Sequence, residues 1–119
     1  MSKVKIDATL PFPPIAPRYF RLDPLRQIRF ASLEGRTFQR AVAKKLASVK
    51  PIEGKLALHV SFYHKDSPSR NIDTYLEPLK DALIYAGVMH DELQVKVLYV
   101  HMHEPDGNPR TEVHIEELD

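Results

Sequence analysis

Residues 55–64 have the sequence KLALHVSFYH, and residues 93–103 have the sequence LQVKVLYVHMH. In the first segment every second residue is a large apolar one, which is the period of a half-buried strand. The second segment is the most β-rich part of the chain, with several β-branched and aromatic residues. Together the two segments predict a fold that is built around a β-sheet.

The segment before residues 55–64 predicts an amphipathic helix that runs to about residue 48, with Ser32 as its N-cap. Its apolar stripe repeats every four residues, at Phe38, Val42 and Leu46. A second row with the same spacing is basic, and its members are Arg36, Arg40 and Lys44. Because like charges in one row repel each other, this row indicates either a polyanion-binding face or a solvated face.

A second helix is predicted after residues 55–64. It ends near Gly87, because glycine is the preferred residue just beyond a helix C-terminus. The sequence leaves the start of this helix ambiguous, and one candidate start is Thr74, which has the spacing of a capping box with Glu77 and would place Pro78 in the first turn. The residues that would face the core are Leu76, Leu79 and Leu83.

The remaining segments complete a mixed pattern. Residues 3–10 alternate as a strand does, and residues 11–31 predict an irregular arm interrupted by prolines. A turn at residues 105–109 returns the chain as a strand, so residues 93–115 predict a hairpin. This order indicates one small α+β domain over residues 1–119, with a mixed sheet of about four strands and two main helices.

The bulk composition excludes several classes of protein. A chain of 119 residues with 43% hydrophobic and 28% charged residues suits one globular domain. No apolar stretch approaches the ~20 residues that span a bilayer, and the first ten residues lack the apolar core of a signal peptide. The absence of cysteine excludes disulfides and thiolate metal sites. We therefore expect a cytoplasmic protein without a membrane partner.

The charge is distributed unevenly along the chain. Residues 1–50 carry eleven Lys and Arg against three Asp and Glu, for a net charge of +8, whereas residues 51–119 carry six against thirteen, for −7. This asymmetry indicates a polyanion-binding half and an acidic half. The alternative is that the two halves pair with each other through surface ion pairs.

The acidic groups that could carry chemistry lie within residues 71–92. Asn71 and Asp73 stand at the start of the second helix, and Asp91 and Glu92 follow its end. If the next strand lies beside that loop, their oxygen atoms form an incomplete shell that suits Mg²⁺ or Mn²⁺. Such an ion activates water and neutralises charge on a phosphoryl oxygen. The alternative is that Asp73 caps a helix and that Asp91 and Glu92 belong to a turn.

Several short motifs follow one another along nearly the whole chain. They are Leu10–Pro14 with Arg18–Arg21, Ser32–Gly35 before the basic helix, Arg70–Asp73, Asp81–Leu83, Ala86-Gly87, and His90–Val95. In order and spacing they resemble the RusA family of Holliday-junction resolvases, which are small homodimeric Mg²⁺-dependent endonucleases. The resemblance implies a homodimer that binds four-way junctions and other branched DNA and cuts them in recombination and repair, with Mg²⁺ or Mn²⁺ as the cofactor.

The residues that differ from the family pattern stand at positions that the pattern assigns to metal binding and catalysis. Asn71 replaces a metal-binding aspartate, Glu92 replaces the second residue of an Asp-Asp pair, and Glu77 stands at the position of the catalytic lysine. Glu77 could serve as a metal ligand instead, and Lys80, one turn away, could supply the lost cation. The resemblance thus implies Asn71, Asp73, Asp91 and Glu92 as metal ligands, and Asp73, Glu77, Lys80, Asp91 and Glu92 as catalytic residues.

Three functions follow from this pattern. The first is a structure-selective endonuclease with weakened cleavage, because an asparagine oxygen is a poorer ligand and a phosphate-directed cation is lost. The second is a catalytically inactive RusA-like protein that binds branched DNA. The third is a dimeric interaction module that neither binds nor cuts DNA.

The expected DNA contacts come mostly from the arm and the first helix. The basic residues would contact phosphates, and Tyr19 or Phe20 would stack on opened bases, with core packing as the alternative for both aromatics. The expected DNA-binding residues are Arg18, Tyr19, Phe20, Arg21, Arg29, Arg36, Arg40, Lys44 and Arg70.

The histidines suggest a separate hypothesis. His101 and His103 are two residues apart on one strand and share a face, and His59 and His114 would lie opposite them across the sheet. Such a cluster suits zinc. The alternative is that these histidines face solvent.

Overall fold

A computed structural model describes residues 3–67 and 70–119. The elements in chain order are β1 (Lys5–Leu10), α1 (Ala16–Tyr19), β2 (Phe20–Asp23), β3 (Ile28–Ala31), α2 (Leu33–Lys45), β4 (Leu56–Tyr63), α3 (Asp73–Tyr85), a 3₁₀ turn (Glu92–Gln94), β5 (Val95–His103) and β6 (Arg110–Glu117). A mixed four-stranded sheet and two main helices confirm the predicted α+β class. In this described part, no helix is long and apolar enough to cross a membrane.

The sheet has the strand order β1-β6-β4-β5. β6 pairs antiparallel with both β1 and β4, whereas β4 and β5 are parallel. The prediction of a hairpin at residues 93–115 is therefore wrong, because β4 lies between β5 and β6. A parallel pair needs a long crossover, and α3 provides it between β4 and β5.

The core lies between the sheet and the two long helices. One face of β4 is fully apolar and buried, with Leu58 and Phe62 inaccessible to solvent. Val42 of α2 and Leu79 of α3 are equally buried in the same cluster. The other face of β4 remains half-buried, so the sheet keeps one open face.

α2 forms as its sequence pattern predicts, although it ends at Lys45, three residues before the predicted end. The Ser32 hydroxyl accepts a hydrogen bond from the Gly35 amide at 3.0 Å and donates one to the Arg18 carbonyl at 2.5 Å. The apolar stripe Phe38, Val42 and Leu46 is buried, and the basic row Arg36, Arg40 and Lys44 is exposed.

α3 begins at Asp73, so the predicted start at a Thr74 capping box is wrong. The Thr74 hydroxyl instead accepts a hydrogen bond from the Ala16 amide at 3.2 Å, which joins α1 to α3. Pro78 consequently lies in the second turn, not the first. The C-terminal prediction is confirmed, because Gly87 has a φ of 81° and the Val88 amide bonds back to the Leu83 carbonyl.

The predicted irregular arm at residues 11–31 is more ordered than expected. It contains α1 and a two-stranded hairpin of β2 and β3, which is separate from the main sheet. The turn between the strands is closed by Asp23, whose side chain accepts from the amides of Leu25 and Arg26, and by Gln27 at a φ of 58°. Pro24 lies within this turn, where its missing amide costs least.

Candidate functional site

One open pocket of about 300 Å³ brings together most of the predicted catalytic residues. Asp73, Glu77 and Lys80 are spaced by four and three residues on α3, so they share one face of the helix. Glu92 of the 3₁₀ turn and Arg29 of β3 complete the polar lining, and Leu76 supplies apolar lining. We refer to this set of residues as the acidic pocket.

Two ion pairs cross the acidic pocket. Arg29 Nη2 lies 2.5 Å from Glu77 Oε1, and Lys80 Nζ lies 3.7 Å from Glu92 Oε2. With Asp73, the pocket contains three carboxylates and two cations, so its formal charge is −1. Partly exposed pairs of this kind each contribute about 0–1 kcal/mol. They connect the hairpin and the 3₁₀ turn to α3.

Asp91 does not line the acidic pocket. Its side chain accepts a hydrogen bond from the Leu93 amide at 2.8 Å, and the Gln94 side chain accepts from the Asp91 amide at 3.0 Å, which forms a capping box. Gln94 also donates to the carbonyls of Ile52 and Gly54. Of the alternative interpretation, the turn at Asp91 and Glu92 is confirmed, whereas the N-cap of α3 is Ile72 and not Asp73.

Asn71 and Arg70 are exposed just before α3, and neither lines the acidic pocket. The Asn71 backbone carbonyl accepts from the Thr74 amide at 3.2 Å. Arg70 lines a second open pocket, of about 380 Å³, which Arg18 and His64 also line. The two predicted DNA-binding arginines at positions 18 and 70 therefore lie in one region of the surface.

The side chains of the acidic pocket are of the type that binds a divalent cation, but their present positions do not form a metal site. Carboxylates are the ligands that Mg²⁺ prefers. Among residues 3–67 and 70–119, however, no three His, Asp or Glu side chains lie close enough together to bind one metal ion. Two of the three pocket carboxylates face Arg29 and Lys80 instead. A metal ion would have to displace these cations.

The histidines lie on the open face of the sheet, and they stack on aromatic rings. His101 and His103 are parallel at 3.9 Å between centroids, and His103 also stacks on Tyr63 at 4.4 Å. His114 contacts the Asp7 carboxylate at 2.7 Å, and this hydrogen bond raises the pKa of the imidazole. No group of these side chains in the described chain is arranged as a metal site, so the zinc hypothesis gains no support.

Tyr19 is fully buried, so it has no surface to offer to DNA. Its hydroxyl donates to the Asp81 carboxylate at 2.6 Å, and Gln39 donates to the same oxygen atom at 3.2 Å. Burial and the Asp81 carboxylate hold the pKa of Tyr19 well above its usual value. Tyr19 thus packs in the core, as the alternative interpretation of this residue predicted. Phe20 is half-buried, with the Arg29 guanidinium 3.8 Å above its ring.

The other predicted DNA contacts lie at the surface. Arg18 pairs with Glu34 at 3.2 Å, and Arg21, Arg36, Arg40 and Lys44 are exposed. The two oppositely charged halves also contact each other, through Lys3 with Asp119, Lys5 with Glu116 and Arg29 with Glu77. Internal pairing therefore accounts for part of the charge asymmetry, and the basic row of α2 remains on the surface.

Comparisons with known proteins give no family assignment. No protein-family model matches the chain, and a search of curated proteins finds no match. The resemblance to the RusA family therefore stays a proposal, carried by the motifs and by the residues that the acidic pocket groups together.

Proposed function

We propose that the chain is a RusA-like protein that binds branched DNA and cleaves it weakly in the presence of Mg²⁺ or Mn²⁺. The observation that carries this proposal is the acidic pocket. It groups Asp73, Glu77, Lys80 and Glu92, which are four of the five residues that the resemblance implies as catalytic. The fifth, Asp91, stabilises the adjacent 3₁₀ turn.

Each pocket residue has a role in this proposal. Once the ion has displaced Arg29 and Lys80, Asp73, Glu77 and Glu92 would hold it, and when bound it supplies an activated water and neutralises charge on the phosphate. Lys80 would place its ammonium group towards the phosphoryl oxygen atoms and stabilise their charge. Because Arg29 and Lys80 compete with the ion for Glu77 and Glu92, we expect a lower metal affinity than a free carboxylate cluster would have.

Binding to DNA would rest on exposed basic side chains. Arg36, Arg40 and Lys44 form one row on α2, and Arg21 is exposed on the hairpin. Contacts of this kind read phosphate positions and DNA shape, not base sequence. This mode of reading suits a branched substrate whose geometry differs from that of linear duplex.

A second copy of the chain is the protein partner in this proposal. β5 forms one edge of the sheet, and Val97, Leu98 and Tyr99 on it are exposed. An exposed apolar edge strand is a template for pairing with another strand, and two copies of β5 can pair about a two-fold axis. We assign the dimer contact to this edge.

A second candidate function is binding without cleavage. The observations that favour it are the two ion pairs in the acidic pocket and the lack, within the described residues, of three ligands at metal-binding distance. In this case the pocket has lost its chemistry and retains a structural role, since its ion pairs fix the hairpin to α3.

One experiment separates these candidates. The protein is incubated with a labelled four-way junction and with linear duplex, with Mn²⁺ or with a chelator, and both binding and strand cleavage are measured. We expect preferential junction binding and slow, metal-dependent nicks that Asp73→Asn and Glu92→Gln abolish. Glu104→Gln is the matched control, because Glu104 is exposed and lies outside the acidic pocket.

Two other results would favour the other candidate functions. Junction binding without nicks in any metal would establish the second candidate. Neither binding nor cleavage would leave a dimeric interaction module and would reject the resemblance as a guide to function.

A further inference from the structure

The β2–β3 hairpin exposes four large apolar side chains. Leu25 at its tip is 94% exposed, Phe30 is 50% exposed, and Leu22 and Ile28 are also exposed. Exposed apolar side chains that are grouped on one element are a mark of an interaction surface. The hairpin therefore carries a surface that its own fold does not use.

The two faces of the hairpin have different surroundings. The strand register places Phe20, Leu22, Arg29 and Ala31 on one face. On this inner face Arg29 contacts both the Phe20 ring and Glu77 of the acidic pocket. Arg21 and Phe30 are direct cross-strand partners on the opposite, outer face. Phe30 thus points away from the core beside an arginine.

The tip of the hairpin is held in one shape by its own hydrogen bonds. The Asp23 carboxylate accepts from the amides of Leu25 and Arg26 at 3.0 and 3.2 Å, and the Gln27 side chain donates to the Pro24 carbonyl at 2.8 Å. A pre-formed turn loses little conformational entropy when it binds a partner. Leu25 therefore lies on a turn that is stabilised by hydrogen bonds.

The charge of the hairpin indicates the chemical class of its partner. Residues 20–31 contain the arginines 21, 26 and 29 and a single acid, Asp23. Arg26 pairs with Asp23 at 3.3 Å and Arg29 pairs with Glu77, so the hairpin keeps a smaller net positive charge, to which Arg21 contributes. A polyanion complements this charge, whereas a second copy of the same hairpin would repel it. Apolar side chains that enter between bases, with arginines on the neighbouring phosphates, are a known way in which proteins open DNA.

We infer that the outer face and tip of the hairpin form a wedge that enters the opened branch point of DNA, with Phe30 and Leu25 against unstacked bases and Arg21 and Arg26 on the flanking phosphates. The inference rests on the proposed function, because it takes branched DNA as the ligand. The Arg29–Glu77 contact supports it, since this contact shows that the hairpin lies next to the acidic pocket, where a strand would be cut.

The test uses a four-way junction with 2-aminopurine at the branch point, in chelator so that no strand is cut. Fluorescence reports unstacking, and anisotropy of a separate label reports binding. We expect wild type to raise the fluorescence, and Phe30→Ala and Leu25→Ala to lose most of that rise at saturating protein. Junction affinity should weaken about fivefold or more in each variant, because base–aromatic and wedge contacts are lost.

Two further variants keep the test specific. Phe30→Trp preserves an aromatic wedge and should retain the fluorescence rise. Tyr85→Ala removes an aromatic of similar exposure at the end of α3 and should behave as wild type. Circular dichroism of each variant checks that the fold is intact.

Different results would reject the wedge and the proposed function. If wild type binds the junction without a fluorescence rise, or if Phe30→Ala retains the rise, the wedge is rejected and the proposed function stands. If wild type does not bind the junction at all, the proposed function is rejected and the wedge with it. Sedimentation with phosphatidylserine vesicles, dependent on Leu25 and without junction binding, would assign the hairpin to a membrane surface instead.

Discussion

Arg29 of β3 lies 2.5 Å from Glu77 of α3, and this contact is a polar link between the hairpin and the acidic pocket. Its guanidinium also covers the Phe20 ring at 3.8 Å. The Glu77 carboxylate is therefore neutralised by an arginine that comes from a different element of the chain.

Replacing Arg29 with glutamine should strengthen metal binding. The change frees the Glu77 carboxylate, so that Asp73 and Glu77 on one face of α3 both become available as ligands. We expect tighter Mn²⁺ binding in electron paramagnetic resonance titrations and a stability loss below about 1 kcal/mol. Arg21→Gln, on the other face of the hairpin, is the matched control. Equal Mn²⁺ affinity in both variants would contradict this role for Arg29.

Gly35 should not tolerate a side chain. A Cβ atom at this position would clash with the Tyr19 carbonyl oxygen and approach Ala31, so α2 would have to move away from α1. We expect Gly35→Ala to lower the free energy of unfolding by about 1–3 kcal/mol in urea titrations. Gly54→Ala is the control, because no atom lies within 4 Å of its added Cβ. A stable Gly35→Ala variant would show that α1 and α2 separate at little cost.

The Tyr19–Asp81 hydrogen bond should be a large contribution to stability. Tyr19 is fully buried, and its hydroxyl donates to a carboxylate that Gln39 also contacts. Hydrogen bonds to charged groups contribute about 1.5–3 kcal/mol, so Tyr19→Phe should lose stability in that range. Tyr85→Phe, at an exposed position, should lose almost none. If the two variants unfold at the same urea concentration, the buried network is not a significant stabiliser.

The pKa of Tyr19 adds a second measurement on the same network. Because its folded pKa lies above the unfolded value of about 10, the neutral hydroxyl stabilises the fold below pH ~10. This contribution falls as the pH rises above that value. Wild type should therefore lose stability more steeply than Tyr19→Phe under alkaline conditions.

Periodicity predicted the elements of this fold but not how they pair. The apolar stripe of α2 and the alternation in β4 depend only on burial of one face, and both predictions are confirmed. The pairing of residues 93–115 was wrong because a period of two defines a face and says nothing about the neighbouring strand. β4 lies between β5 and β6. It pairs parallel with β5, to which α3 connects it, and antiparallel with β6.

Some of the candidate residues lie together in the structure and others do not. Four residues from α3 and the 3₁₀ turn do line one pocket, whereas Asp91 caps the turn instead. A signal for that role was present in the sequence, because Asp91 and Gln94 have capping-box spacing. Arg29 was expected to contact DNA, and its pairing with Glu77 depends on a hairpin whose four-residue strands are too short to detect by alternation.

The stability contribution of His114 should depend on pH. Asp7 and, at 3.3 Å, Glu116 contact its imidazole, and both raise its pKa above 6.5. Because the folded pKa is raised, the stabilisation is complete below the unfolded pKa and disappears as the pH rises through the folded value. His114→Gln should thus cost more stability near pH ~5.5 than near pH ~8.5, by less than about 1 kcal/mol because the ring is partly exposed. Asp7→Asn should reduce the difference, and equal costs at both pH values would contradict the assignment.

The basic row of α2 should determine how steeply DNA binding falls with salt. Each phosphate contact releases counterions, so log Kd changes by about 0.9 per contact for each tenfold change in salt. Replacing Arg36, Arg40 and Lys44 with glutamine should lower that slope by about 2–3. The matched control replaces Lys50, Lys55 and Lys65, which are exposed and lie outside α2 and β5, so the net charge changes equally. If the row is a DNA-binding face, anisotropy titrations from low to high salt will show the smaller slope only in the α2 variant. If it is a solvated face, the two variants will have the same slope, since only the overall charge then affects binding.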